Sequence, residues 1–113
     1  MLPKNRRINT TLFAEVLKNG RSFYSKNISL SVFHKIGLYN TRFAFVVSKK
    51  VAKRAVDRNL LRRRGYSALL DVVDNTKPSF ANIIFLKKGS ESLKFKDFKE
   101  EIIELLKKAG VLM

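Results

Sequence analysis

The chain has 113 residues and no cysteine, with 45% hydrophobic and 11% aromatic residues. One packed domain over residues 1–113 fits that length and composition, which exclude general disorder, a disulfide scaffold, a thiolate zinc site and a cysteine nucleophile. Twenty-four Lys and Arg against nine Asp and Glu give a net charge of +15, and residues 1–66 hold 16 of the basic but only 2 of the acidic side chains.

Self-repulsion of this kind does nothing for a folded domain, so it implies a polyanionic partner, nucleic acid first and an anionic membrane second. No apolar run approaches the roughly 20 residues that cross a bilayer. The basic start lacks the apolar segment of a secretory signal. A cytoplasmic protein is expected.

In chain order, Asn9, Thr10 and Thr11 cap a short helix over residues 12–18, whose Leu12, Phe13, Val16 and Leu17 have helical spacing. Residues 22–35 alternate, with Ile28, Leu30 and Val32 on one face and Ser29, Ser31 and Phe33 on the other. That stretch is long enough to bend into two strands. Residues 42–48 form the next strand, expected to pair with it as a hairpin. A basic connector over 49–53 leads into a helix from about 54 to 73, which the segment ending at Pro78 stops. Residues 80–86, FANIIFL, read as a central strand covered on both sides. Phe95, Phe98, Ile102, Leu105 and Leu106 make a last amphipathic helix that ends before Gly110. The fold class is α+β, a compact two-layer α/β sandwich in the order α-β-β-(β)-α-β-α, with helices on one face of a small mixed sheet.

The middle helix carries the sharpest signal. At about 100° per residue, Arg58, Asn59, Arg62, Arg63 and Tyr66 share an arc of roughly 140°. Leu61, Gly65, Ala68 and Val72 share another arc, directed to the sheet. Like charges at Arg54, Arg58 and Arg62 oppose the helix by a few tenths of a kcal/mol per pair, about 0.2–0.5. A phosphate backbone reverses that sign, and the planar Arg fork grips two phosphate oxygens. Lys49, Lys50 and Lys53 add cations just upstream.

Read together, residues 42–63 resemble the protein subunit of bacterial ribonuclease P. Val47-Ser48-Lys49-Lys50 match that family's strand end, and Ala55, Arg58, Asn59, Arg62 and Arg63 match its basic helix. Phe13, Val16, Gly20 and Arg21 match its N-terminal pattern. The chain departs from the pattern at Ser31, Ala44, Arg64, Tyr66, Ser67, Asn82 and Lys88.

The resemblance implies a left-handed β-α-β crossover and a part in removing the 5′ leader from precursor tRNA. It also implies that the catalytic centre is RNA, that Mg2+ serves that RNA, and that the protein alone is inactive. Lys49, Lys50, Lys53, Arg54, Arg58, Asn59, Arg62 and Arg63 would bind the catalytic RNA. A cleft between the sheet and the first helix, with Phe13, Leu17, Arg21, Ser29, Ser31, Phe33 and Val46, would hold the single-stranded leader. Phe13 and Phe33 are the stacking candidates there, with Arg6, Arg7 and Arg21 near them in sequence. The partners implied are the catalytic RNA and precursor tRNA, with neither a membrane nor an obligate protein partner.

No catalytic residue and no metal site is expected of the protein itself. His34, the one histidine, has no relay partner in sequence, and Glu100, Glu101 and Glu104 alternate with lysines as surface pairs. Two rival readings are a stand-alone RNA-binding module of RRM type, suggested by Arg42-Phe43-Ala44-Phe45-Val46, and a ribosome-associated structural protein.

Overall fold

Asn9 sets the first helix. In the computed structural model, which describes residues 2–113, its side-chain oxygen accepts the Leu12 amide at 2.8 Å. One of the helix's unsatisfied donors is thereby capped. Helix α1 runs Thr10–Asn19 and buries Leu12 and Val16. The alternating stretch does bend, at residues 25–27, into β1 (Arg21–Tyr24) and β2 (Ile28–His34). They form an antiparallel pair with Arg21 opposite Val32 and Tyr24 opposite Ser29.

Strand β3 (Arg42–Val47) does not join this hairpin. The connector α2 (Ala55–Leu69) carries the chain to β4 (Phe80–Leu86), which enters between β2 and β3. The sheet order is β1-β2-β4-β3, with β4 antiparallel to β2 and parallel to β3. Burial explains the choice. The central slot is covered on both faces, so it goes to the strand that is apolar nearly throughout, with Ala81, Ile83, Ile84 and Leu86 all buried. The alternating strand β3 takes the edge.

The two faces are covered unequally. Ile28, Leu30, Phe43, Phe45 and Ile84 meet Leu61, Ala68 and Leu69 of α2 and Phe98, Ile102 and Leu106 of the last helix, α3 (Phe95–Lys108). The other face gathers Leu12 and Val16 of α1 against Ala81 and Ile83. Helices therefore lie on both faces, not one, because β4 is apolar on both. Gly65 brings α2 close to the sheet: a Cβ there would sit 2.5 Å from the Phe45 ring.

Helix α2 ends at Leu69, four residues short of the expected stop. The β-branched Val72 and Val73 are weak helix formers. Val73 instead turns into the core, where the Thr76 hydroxyl donates to its carbonyl at 2.7 Å. Val72 therefore lies beyond the helix and not on its buried stripe. Helix α3 stops as expected. Gly110 takes φ +79°, its amide donates to the Lys107 carbonyl, and the Val111 amide donates to the Leu106 carbonyl, both at 3.0 Å. These are the two bonds of a Schellman cap.

Candidate nucleic-acid interface

The chain leaves β3 through a tight turn in which the Val51 and Ala52 amides both donate to the Ser48 carbonyl, at 3.1 and 3.2 Å. Lys49, Lys50 and Lys53 stand exposed on that turn. Arg58 then reaches back from α2 and donates to the carbonyls of Ala52 at 3.0 Å and Lys53 at 2.7 Å. The turn and the helix thereby become one strip. Arg54 grips Asp57 through two bonds of 2.8 and 3.1 Å, which occupies the one acid in the segment. Arg62 donates to the Asn59 side-chain oxygen, and Arg63 is exposed.

Among the described residues, Lys49, Lys50, Lys53, Arg58, Arg62 and Arg63 form no ion pair with a carboxylate. Their charge is available to an external anion, and the Arg58 bonds restrict how far the strip can rearrange.

Two neighbours on the same helix, Arg64 and the Tyr66 expected on the basic arc, are used otherwise. The Arg64 guanidinium lies 5.0 Å from the Phe98 ring centre and donates to the Leu93 carbonyl, joining α2 to α3. Tyr66 meets the Phe45 ring edge-on at 5.0 Å, so it leaves the basic arc for the core side. Sequence reading also missed an apolar cleft of about 330 Å³ beside the strip, walled by Val51, Ala52, Leu60 and Leu61 with Asp57 and Glu91. The exposed Leu60 sits among the arginines in sequence and is the one signal that could have found it.

On the opposite face, strand register decides which residues meet. Ser29 lies opposite Phe85, which lies opposite Val46. Ser31 aligns in the same way with Ile83 and Ala44, and Phe33 with Ala81 and Arg42. Ser29, Ser31, Phe33 and Val46 therefore share the α1 side, with Phe33, Val46 and Phe13 half-buried around the α1 contact. Leu17 is 55% exposed on α1. Phe85 and Ala44 complete this half-buried row, and only the register reveals them.

Arg21 does not join the row. Its pairing with Val32 sends it to the other face, where its guanidinium lies 5.3 Å from the Phe23 ring centre. Phe43 and Phe45, the aromatics of the RRM-like pattern, are buried in the core and offer no stacking surface. His34 is exposed and contacts the Phe80 ring at 5.0 Å. Among the described residues no three His, Asp or Glu side chains converge as metal ligands.

The family model described as Ribonuclease P matches residues 2–110. A ribonuclease P protein component from Synechococcus elongatus is 41% identical over 73 residues, 64% of this chain, and the match spans only 60% of that relative's length. Another from Rickettsia prowazekii is 30% identical over 103 residues, covering 83% of this chain and 85% of the relative. The solved ribonuclease P protein of Staphylococcus aureus is similar in fold, with a TM-score of 0.83 at 20% identity, covering 96% of this chain and 98% of that one. With the basic strip, the sheet order and the match over nearly all its residues in agreement, the chain belongs to the Ribonuclease P protein family.

Proposed function

We propose that this protein is the RNA-binding, non-catalytic subunit of a ribonuclease P, in which RNA performs the endonucleolytic removal of the 5′ leader from precursor tRNA. The observation that carries the reading is the strip from Lys49 to Arg63, where six cations pair with no carboxylate among the described residues and Arg58 ties the turn to the helix. Arg62 and Arg63 would clamp phosphate oxygens of the catalytic RNA in pairs, while Lys49, Lys50 and Lys53 supply point charges beside them. Arg54 and Asn59 would line the same contact.

The half-buried row on the α1 side would take the single-stranded leader. There Phe13, Leu17 and Phe33 offer apolar and π surface, while the hydroxyls of Ser29 and Ser31 offer hydrogen bonds. Val46 would form the floor. Arg21 drops out of that site because its side chain lies on the other face.

In this reading Mg2+ would serve the catalytic RNA, where it would activate the attacking water. No helix among the described residues is long and apolar enough to cross a membrane. The reading places the protein in the cytoplasm, with no membrane or obligate protein partner.

The test adds the purified protein to a catalytic ribonuclease P RNA at low magnesium and near-physiological salt, and follows cleavage of precursor tRNA. Wild type is expected to restore cleavage, and protein without RNA to give none. Arg62→Ala should weaken binding to the catalytic RNA about tenfold, the worth of one charge-assisted contact. Absence of stimulation by wild type, or cleavage by RNA-free protein, overturns the proposal.

A further inference from the structure

The beginning of the chain carries cations that the strip does not use. Lys4 opens a short 3-10 turn, and Arg7 bridges Phe43 in parallel, so the N-terminal segment lies along the β3 edge. Arg42, at the start of β3, donates to the Arg7 carbonyl at 3.3 Å and fastens the two together. A cleft of about 300 Å³ opens here between Lys4, Arg7, Asn9 and Arg42. A second, of about 170 Å³, continues from Asn9 and Arg42 towards Thr11 and Lys35. The one acid on its wall, Glu15, is already neutralised by Lys35 at 2.6 Å.

Two further features point to a ligand. The Arg42 Nε–H is buried and meets no acceptor in the protein. A charged donor left without an acceptor is costly, and the guanidinium would gain from an anionic oxygen met by its outer nitrogens in the clefts that Arg42 lines. In addition, the loop between β2 and β3, which supplies Lys35 and Leu38 to the second cleft, holds up Ile36 at 89% and Tyr39 at 93% exposure. A phosphate-sized cationic seat with an exposed aromatic ring on the neighbouring loop is what a single-stranded nucleotide requires.

We propose that the paired clefts around Arg42 bind a phosphodiester of an RNA strand, with Tyr39 stacking on the adjoining base. This rests on the reading of the protein as an RNA-binding subunit and adds a second contact to it. The seat lies at the opposite end of β3 from the basic strip, a six-residue strand or about 20 Å away. The two sites can therefore engage separate stretches of RNA. The phosphate belongs either to the catalytic RNA or to the precursor's leader.

Arg42 is partly buried, so the test uses exposed residues: the double variant Lys4→Ala/Arg7→Ala, together with Tyr39→Ala and Tyr39→Phe, in the full chain. Affinity is measured over a range of salt for the catalytic RNA, for leader-bearing precursor tRNA and for mature tRNA. The double variant should lose about five- to tenfold on one of the first two, and its salt slope should shrink by about 1.4 for two phosphate contacts to a single strand. Tyr39→Ala should lose about fivefold on the same RNA, while Tyr39→Phe keeps wild-type affinity. A loss confined to the catalytic RNA, or to the leader-bearing precursor, identifies the source of the phosphate.

Adding a uridine tetranucleotide should shift the Arg42 Nε–H resonance saturably. If these variants bind all three RNAs like wild type while Arg62→Ala remains weakened, the seat is wrong and the subunit reading survives. If wild type binds none of them, both fall. Loss of binding to phosphatidylglycerol vesicles with RNA affinity unchanged would give the surface to a membrane and overturn the proposal.

Discussion

Arg58 and Arg64 lie on the same helix and act in opposite ways. Arg58 spends its donors on the Ala52 and Lys53 carbonyls and so orders the cationic turn. Arg64 covers Phe98 and ties two helices together, which removes its charge from the strip. On the other face, Phe13 and Phe33 pack around the α1 contact, so truncating either would lower stability as well as any leader affinity. Leu17, more than half exposed, separates the two effects. Leu17→Ala should leave stability within about 0.5 kcal/mol of wild type. It should also weaken binding of leader-bearing precursor tRNA severalfold and leave mature tRNA unaffected. Equal losses on the two tRNAs in a filter-binding assay would remove Leu17 from the leader site.

Among elements, the β1–β2 turn is closed by its own Ser25–Ile28 bonds and anchored from outside by α3. Glu101 accepts the Ser25 hydroxyl, the Asn27 amide at 2.8 Å and the Asn27 side-chain amide at 2.8 Å. Burial of Glu101 favours its neutral form, but the bonds from Ser25, Asn27 and the Ile28 backbone outweigh it and hold the carboxyl below its ordinary range. A lowered folded pKa means that the stabilisation is complete above the unfolded value, near 4.3, and is lost as pH falls through the folded one. Glu101→Gln should therefore cost about 1–2 kcal/mol at pH 7. In urea melts the gap between variant and wild type should narrow as pH falls below the ordinary carboxylate range, and a gap that does not change with pH would show that the charge contributes nothing. The sequence presents Glu101 as one of several surface carboxylates, and its role exists only because the β1–β2 turn docks on α3.

For the whole molecule, the charge imbalance matters most. The first 66 residues hold 16 of 24 cations, and the fold places most of them in the strip after β3 and the clefts before it. If about five phosphates are met, the logarithm of RNA affinity should fall against the logarithm of salt with a slope of about −4 to −5. A slope near zero between 50 and 200 mM salt, an interval of order 0.1 M, would show that phosphate neutralisation does not drive binding.

The order of amino acids specifies most of the elements and the basic strip. Alternation in β2, the apolar run of β4, the cap at Asn9 and the cation-rich segment 49–63 are local patterns, set by neighbours within a few residues. It also determined the family, through the same local pattern. Long-range contacts put β4 between β2 and β3 and α1 on the far face, and they turn Arg21 away from the α1-side row and Tyr66 away from the basic arc. Those outcomes depend on strand register and on which surfaces compete for burial, and both are settled between residues that are distant in the chain.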